Sequence, residues 1–389
     1  MSDYRTGNRT ITIKLETTPG EDAGPTVAAN AVLVASPQST PNFGNEETNE
    51  VGGSLDDRPP VPTSGSRQFR TRVNNKGSGT AGTPPEFDPF LKIASFGRID
   101  RTADVTGTAQ AGAAGSITLA AGDTALANAL RGFVIETTGG TGAGQRRIVT
   151  ANNATSKVAA VTPPWTVTPD NTTTYAVRKG NLYRPQSTVL PTASIYDYGH
   201  RSDGGLSKLK KTLGTAAKCT FTMQVNAGCY FEFDCLGSLV NEDDVTNPGP
   251  ATYMQTRPPP FQNGQVYLGA TKVKLRGFTL DLGSEVQQVE DPNAEFGLGT
   301  AGITRRRMGG TMALPTALKA VRDAMTSWRD GTLQTLSAIW GGVAGNRFAV
   351  LVDGIAYTGQ SEQDVSGFAY DGLPFRLSTA DDGFSICYW

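Results

Sequence analysis

Two short runs set the class of fold this chain can adopt. In Ala217-Lys-Cys-Thr-Phe-Thr-Met-Gln-Val225 the odd positions are apolar and the even ones polar. In Cys229-Tyr-Phe-Glu-Phe-Asp-Cys235 positions 229, 231, 233 and 235 are apolar, whereas Glu232 and Asp234 are charged. A period of two belongs to a strand with one buried face. With Asn226-Ala-Gly228 as the loop, an antiparallel hairpin sets Val225 opposite Cys229, Met223 opposite Phe231, Phe221 opposite Phe233 and Cys219 opposite Cys235. A slip by one residue would turn all of these side chains to water, so the facing pattern is strongly specified.

The same alternation places a first strand around Ile11, Ile13 and Leu15 and another over Ser66–Val73. Further strands are expected at Ala28–Ala35, Val266–Leu268, Thr271–Leu282, Thr311–Leu314, Thr335–Trp340, Arg347–Val352, Gly367–Leu377 and Phe384–Trp389. The last of these runs to the final residue, which points to a sandwich closed by its C-terminal strand. Charged residues make up 18% and glycines number 46, a profile of short strands and tight turns rather than long helices. Two helices are expected. Pro84–Gly97 should hold a short one that folds onto a sheet through Phe87, Phe90, Leu91 and Ala94. Pro315–Gly331 reads as a long one, with Leu318, Val321, Met325 and Trp328 on one stripe facing the core. The fold class expected is all-β, a β-sandwich or open barrel with one flanking α-helix.

Residues 102–178 are rich in Ala, Thr and Gly and carry five short apolar runs. These are Ser116-Ile-Thr-Leu, Gly132-Phe-Val-Ile-Glu, Arg146-Arg-Ile-Val-Thr, Lys157-Val-Ala-Ala-Val and Thr174-Tyr-Ala-Val. They describe a small β domain inserted into a discontinuous host, 1–101 and 179–389. A chain of 389 residues is long enough for two cores.

Between two expected strands lies Asn42–Gly65, a polar arm rich in glycine and proline with an acidic excess. A structureless connection of this length in a compact domain is functional or disordered. This one lacks the apolar residues to bury itself. Its Glu46, Glu47, Glu50, Asp56, Asp57 and Arg58 are therefore candidate contacts to another subunit. That favours assembly over catalysis.

The chemistry-bearing residues give little to an enzyme. Net charge is −1 and the pI about 6.0, so no global basic field gathers nucleic acid. The polar start, Met1-Ser-Asp-Tyr-Arg, gives no expectation of a secretory signal. No apolar run approaches the roughly 20 residues that cross a bilayer. Cys219, Cys229, Cys235 and Cys387 form no Cys-x-x-Cys pair and His200 is the single histidine, so neither a metal nor a cofactor is expected. The cysteines are expected as thiols.

Gly139-Gly-Thr-Gly-Ala-Gly-Gln-Arg-Arg invites a phosphate-loop reading, but Gln145 and Arg146 stand where that loop needs Lys and Ser or Thr. A turn between strands is expected there. His200 lies in a glycine-rich stretch and reads as an exposed turn histidine; with no Gly-x-Ser-x-Gly elbow, a serine triad is unsupported. Asp56-Asp57, Glu242–Asp244 and Asp381-Asp382 read as solvated loop carboxylates. The basic runs Lys208–Lys211 and Arg305–Arg307 lack the interleaved aromatics of a single-strand-binding groove. They read as rim charges for a neighbouring subunit, with Arg305, Arg306 and Arg307 complementing the carboxylates of the arm.

Five stretches then fall in a telling order: Ile13–Val34, Gly77–Lys92, Arg257-Pro-Pro-Pro260, Leu275–Val286 and Tyr370-Asp-Gly-Leu-Pro-Phe-Arg376. Together they resemble the tail tube proteins of long, flexible-tailed bacteriophages and span most of the host. The resemblance implies a sandwich similar to the type VI secretion tube subunit, in hexameric rings stacked into a hollow tube through which DNA leaves the capsid. It implies no enzymatic activity and no membrane insertion. The implied partners are copies of the chain itself, the tape measure, the tail terminator and the distal tail or baseplate proteins, with assembly in the host cytoplasm and a final place in the virion tail. In that family a loop between early strands reaches into the adjacent ring, the place Asn42–Gly65 occupies here. The insertion at 102–178 departs from the minimal pattern, looks like a small β module of other phage virion proteins, and is expected outside the tube. The bore is expected to be near-neutral or acidic, free of Lys/Arg–aromatic clusters that would arrest DNA. Two other classes compete: another virion β protein, such as a decoration or head–tail connector subunit, and a carbohydrate-binding module through 102–178, whose aromatic platform would be Trp165 and Tyr175.

Overall fold

The computed structural model describes residues 3–48, 50, 58–378 and 381–389. Its architecture is all-β, with large antiparallel sheets and three short helices. One ladder passes from Phe96–Arg101 through Gly180–Pro185, Phe384–Tyr388, Phe348–Tyr357, Phe368–Leu377 and Gly309–Pro315. It continues through Gly277–Asp281, Leu206–Gln224, Tyr230–Leu239 and Val61–Asn74 to Ala35–Glu46. The ladder curls until its two halves face one another, bringing Phe221 within 5.8 Å of Phe384 across the core. Ala193–Arg201 and Tyr4–Leu15 branch from the first part of Leu206–Gln224.

The short helix, Asp88–Ile93, closes the open side of this curl. Phe90 stacks on Phe233 at 5.2 Å, and Phe87 meets Phe231 at 5.9 Å and Tyr388 at 6.2 Å. Phe87, Phe90, Leu91 and Ala94 are all buried, as their spacing requires. At its first turn Asp88 accepts from the Tyr183 hydroxyl at 2.7 Å and pairs with Lys92 and Arg98.

Residues Val105–Val177 form a separate sheet of seven strands, and each of the five apolar runs is one of them. Two more, Val105–Thr108 and Ala111–Ala113, carry too few large apolar residues to be read from pattern. The chain leaves the host at Arg101 and re-enters at Gly180, residues directly paired across the ladder. The inserted sheet packs on the host: Leu182, Ile339, Ala349, Leu351, Cys387 and Trp389 share its core. Their neighbours Tyr183, Phe348, Val350, Ile386 and Tyr388 point the other way, into the host core. This middle layer is buried on both faces, which is why Phe348–Val352 and Ile386–Trp389 are continuous apolar runs rather than alternating ones.

The structure corrects several details. The central hairpin keeps the expected faces but pairs two residues off, with Phe221 opposite Phe231, Cys219 opposite Phe233 and Ala217 opposite Cys235. An even shift leaves the inward set unchanged. Its cause is the turn: Val225 and Gly228 are bridged to Phe261 and Pro260, and Asn226 takes a positive φ. Thr271–Leu282 is two strands, because the chain changes partner between Lys272 and Gly277. Ala28–Ala35 holds the end of a short helix, Val27–Asn30, and a two-residue strand.

The structure differs most from expectation at the long helix, Pro315–Gly331. Only Ala324–Arg329 is helical, opened by Asp323, whose carboxylate accepts from Thr326 N at 2.8 Å. Upstream, Arg322 donates to Pro315 O and pairs with buried Asp371 at 2.7 Å, which also accepts from the Thr316 hydroxyl. That anchor turns the charged side inward and the apolar side outward. Leu318 is 79% exposed, Val321 61%, Met325 71% and Trp328 45%, so the stripe is surface, not core.

A carboxylate with no cationic partner among the described residues fixes another part of the sandwich. Buried Glu16 accepts from Gly20 N at 2.7 Å and Thr192 Oγ1 at 2.6 Å on one oxygen. On the other it accepts from Ser194 Oγ at 2.9 Å and Gly214 N at 2.8 Å. Gly214 sits at the bulge of the long strand with φ +57°, where a side chain would be strained and would meet Thr300.

Two measurements check this account. Replacing Glu16 by Ala strands four donors and should lower unfolding stability by about 3 kcal/mol in urea titrations. Leu318→Ser with Met325→Ser, by contrast, should cost only about 0.5 kcal/mol, because both side chains already face water. A loss of several kcal/mol in the double variant would return this stripe to the core.

Candidate assembly surfaces

The arm is not a structureless loop. Ala35–Glu46 and Val61–Asn74 pair from Ala35↔Arg72 out to Glu46↔Val61, so both of its flanks, 42–46 and 61–65, belong to a β-hairpin that orders itself. Tyr230–Leu239 supports this ribbon only as far as Ser66↔Ser238. Beyond that point the two strands continue alone. They leave the body where Phe296 packs edge-on against Phe43 at 6.0 Å and its carbonyl accepts from Gly65 N at 3.0 Å. At ~3.3 Å per residue, the Glu46–Val61 pair stands roughly 15 Å past Ser66. Glu46, Glu47, Glu50 and Arg58 are exposed, and Glu50 pairs with Arg58 at the tip. Glu46 and Glu47 have no cationic partner among the described residues; Asp56 and Asp57 lie outside those residues.

A feature that pattern reading missed links this arm to the arginine run. Ser284–Glu290 and Leu298–Arg306 form a separate hairpin lying over the arm-bearing sheet, with Ser238 Oγ donating to Gly299 O at 2.7 Å. Its turn, 291–297, holds the arm at Phe296. Its open end, where Ser284 faces Arg306, lies roughly 25 Å away at ~3.3 Å per residue. The arm and the arginines therefore lie at opposite ends of this hairpin. The hairpin is not legible in the sequence because Ser-Glu-Val-Gln-Gln-Val-Glu and Leu-Gly-Thr-Ala-Gly-Ile-Thr-Arg-Arg contain few large apolar residues.

Arg305–Arg307 line a groove of about 520 Å³ with Ser95, Gln186, Leu190, Arg376 and Asp381. The three arginines are not equivalent. Arg306 is turned into its own subunit, donating to Ser95 Oγ at 2.9 Å and Gln186 O at 3.0 Å and pairing with Asp381, so it is no rim charge. Arg305, Arg307 and Arg376 are exposed and make no ion pair among the described residues, although Glu285 stands opposite Arg305 in the ladder. The other basic run is used internally as well: Lys208 pairs with Glu242 at 2.5 Å and Lys211 with Asp22 at 3.3 Å.

The solvent face of the arm-bearing sheet is charge-balanced. Arg70 and Lys218 flank Asp234, Arg72 lies opposite Glu232, and Asp281 lies opposite Thr220. The Arg72 guanidinium also covers the Tyr230 ring at 3.5 Å, one cation–aromatic pair on this face.

Other singled-out residues have structural partners. Gly139–Gln145 is the turn of a strand hairpin, closed by the Gln145 amide, which donates to Gly142 O and Val167 O and accepts from Thr166 N and Val167 N. Trp165 and Tyr175 are buried, with Trp165 Nε1 donating to Ser116 O and the Tyr175 hydroxyl accepting from Ala120 N. They form no platform for a sugar. Asp382 pairs with Arg184, and Glu242 with Arg67 as well as Lys208, so these loop carboxylates are engaged rather than free. Among the described residues no group of three His, Cys, Asp or Glu is placed to hold a metal ion, and no helix is long and apolar enough to cross a membrane. The four cysteines are free thiols buried in the cores.

His200 is not an exposed turn residue. It lies within the strand Ala193–Arg201, buried, its Nε2 2.9 Å from Thr10 Oγ1 and its Nδ1 2.8 Å from Ser207 Oγ. Ser207 is itself fully buried, so the pair joins strands and reaches no substrate. Burial lowers the His200 pKa below 6.5, against a smaller opposing pull from Asp197.

No protein-family model matches this chain, and no curated protein matches it.

The lowered pKa carries a sign. The unfolded chain takes up a proton near pH 6.5 while the folded one resists it, so the stability held by neutral His200 is complete above pH 6.5 and is lost as pH falls below it. The stability gap between wild type and His200→Asn should therefore narrow as urea titrations move from pH 7 to pH 5.

Proposed function

We propose that this chain is a structural subunit that polymerises with itself, a tail tube protein of a long-tailed bacteriophage whose stacked rings form a conduit for DNA. The observation that carries this reading is the arm, a hairpin that runs past its last supporting strand and presents Glu46 and Glu47, without a cationic partner among the described residues, to solvent. A monomer gains nothing from such a projection. The exposed Leu318, Val321, Met325 and Trp328 add an apolar surface of the kind an oligomer covers.

The layering supports a conduit. The charge-balanced face of Arg70, Arg72, Lys218, Glu232, Asp234 and Asp281 is suited to a bore, because phosphates sliding past it meet no net positive wall. The insertion packs on the opposite side of the sandwich, which would put it on the outside of a tube. Tube ends would meet the tape measure, terminator and distal tail proteins, and the finished location would be the virion tail. The rival reading as a decoration or connector subunit lacks an equivalent use for an arm at one end and a basic groove at the other. The carbohydrate-binding rival loses its aromatic platform to the core.

Negative-stain microscopy of the concentrated full chain should reveal stacked rings or hollow tubes. A protein that stays monomeric while retaining its native circular dichroism would overturn the proposal.

A further inference from the structure

We propose that the cavity beside the short helix Ala324–Arg329 binds a small organic anion, a carboxylate carried on an apolar chain or ring. The cavity measures about 440 Å³ and lies between the segment 315–327 and the turn joining Gln265–Leu268 to Thr271–Lys272. That size belongs to small-molecule sites. Leu268, Val273 and Val321 give it apolar walls. Two other lining residues carry polar atoms that folding leaves unsatisfied. Tyr357 is 6% exposed, and its hydroxyl has no hydrogen-bond partner among the described residues. Nε of Arg322 is likewise buried and unpartnered, although Nη2 of the same guanidinium donates to Pro315 O and Asp371.

These two atoms ask for an oxygen. Burial pushes the Tyr357 pKa up to about 12 against an opposing pull from Arg322, so at neutral pH the hydroxyl keeps its proton and can donate it. An orphaned buried hydroxyl lowers stability, and phenylalanine would fill the same space without that cost. A carboxylate supplies two acceptor oxygens to such donors. The remaining charges set the sign of the ligand. Arg322 is neutralised by Asp371 at 2.7 Å, and Asp323 faces Lys319 at 3.5 Å. Lys272 and Lys274 also line the cavity, are exposed, and make no ion pair among the described residues. The uncompensated charge is positive, which an amine or a neutral ligand would leave unanswered. A bare inorganic ion answers the charge but gains nothing from the apolar walls. Val321 belongs both to these walls and to the exposed stripe of Leu318 and Met325, so the test must separate the cavity from that surface.

Isothermal titration calorimetry of the full-length chain with octanoate should show a saturable site. Octylamine, which has the same body and the opposite charge, and inorganic phosphate should show none. Tyr357→Phe should weaken octanoate binding about tenfold while keeping or raising thermal stability, a combination that a merely structural tyrosine would not give. Lys272→Glu with Lys274→Glu should abolish binding and keep native circular dichroism, because both lysines are exposed. Leu318→Ser with Met325→Ser should leave the affinity within about twofold, since both side chains lie outside the cavity. Absence of octanoate binding would overturn the proposal, as would equal binding of octylamine or full affinity in Tyr357→Phe. Binding lost only in the Leu318 and Met325 variant would mark adsorption on the stripe and overturn it too. None of these readouts uses the polymer, so the outcome is independent of the tube reading.

Discussion

A layer of strands buried on both faces holds this molecule together. Phe348–Tyr357, Phe384–Tyr388 and Gly180–Pro185 send Phe348, Val350, Ile386, Tyr388 and Tyr183 into the host core. The alternate residues Ala349, Leu351, Cys387 and Leu182 go into the core shared with the insertion. Each such residue removes apolar surface from water at about 25 cal/mol per Å². No polar face remains on which the layer could stand alone. The insertion is thus continuous in sequence but not separable in packing, since its removal would bare Trp389, Leu351 and their neighbours. A surface module added for binding would instead carry its own closed core.

The host uses this rigid layer to present features that a self-sufficient domain would avoid. On the far side of the sandwich the sheet ends in a ribbon that its neighbour stops supporting at Ser238. The hairpin above it ties the acidic ribbon at its turn to the arginine groove at its open end. A subunit with unlike ends and a charge-balanced face between them has a direction. The proposed stack follows from that direction, and the layered core explains how the two ends keep a fixed separation.

The fold was legible wherever burial alone decided the pattern. The alternation in Ala217–Val225 and Cys229–Cys235 gave the correct faces, and the spacing of Phe87, Phe90 and Leu91 gave the plug helix. What failed was decided by polar anchors. Two residues of register were moved by bridges to Pro260 and Phe261, segments distant in sequence. Leu318, Val321 and Met325 have helical spacing, but Arg322 reaching Asp371 fixed which side of that segment turned inward. His200 was buried by hydroxyl partners on two other strands, and no local motif records such partners. At the candidate site, sequence identified both charged groups but not the hairpin that separates them, nor the internal role of Arg306.

The arm itself explains how a long exposed strand escapes indiscriminate pairing. Ala35–Glu46 is bonded on one side only, and an open edge of that length is a template for aggregation. It carries Pro37 and Pro41, and its partner strand carries Pro62. Proline offers no N–H, so the free edge cannot sustain an unbroken ladder with a stray strand. Recognition is thereby shifted from backbone to side chains, and among the described residues Glu46 and Glu47 stand where the paired part of the ribbon ends. An association of that kind is selective for a basic groove, is weakened by salt, and reverses when the partner is wrong. Strand addition would be tighter but would accept any extended chain, a poor basis for stacking identical subunits in one direction.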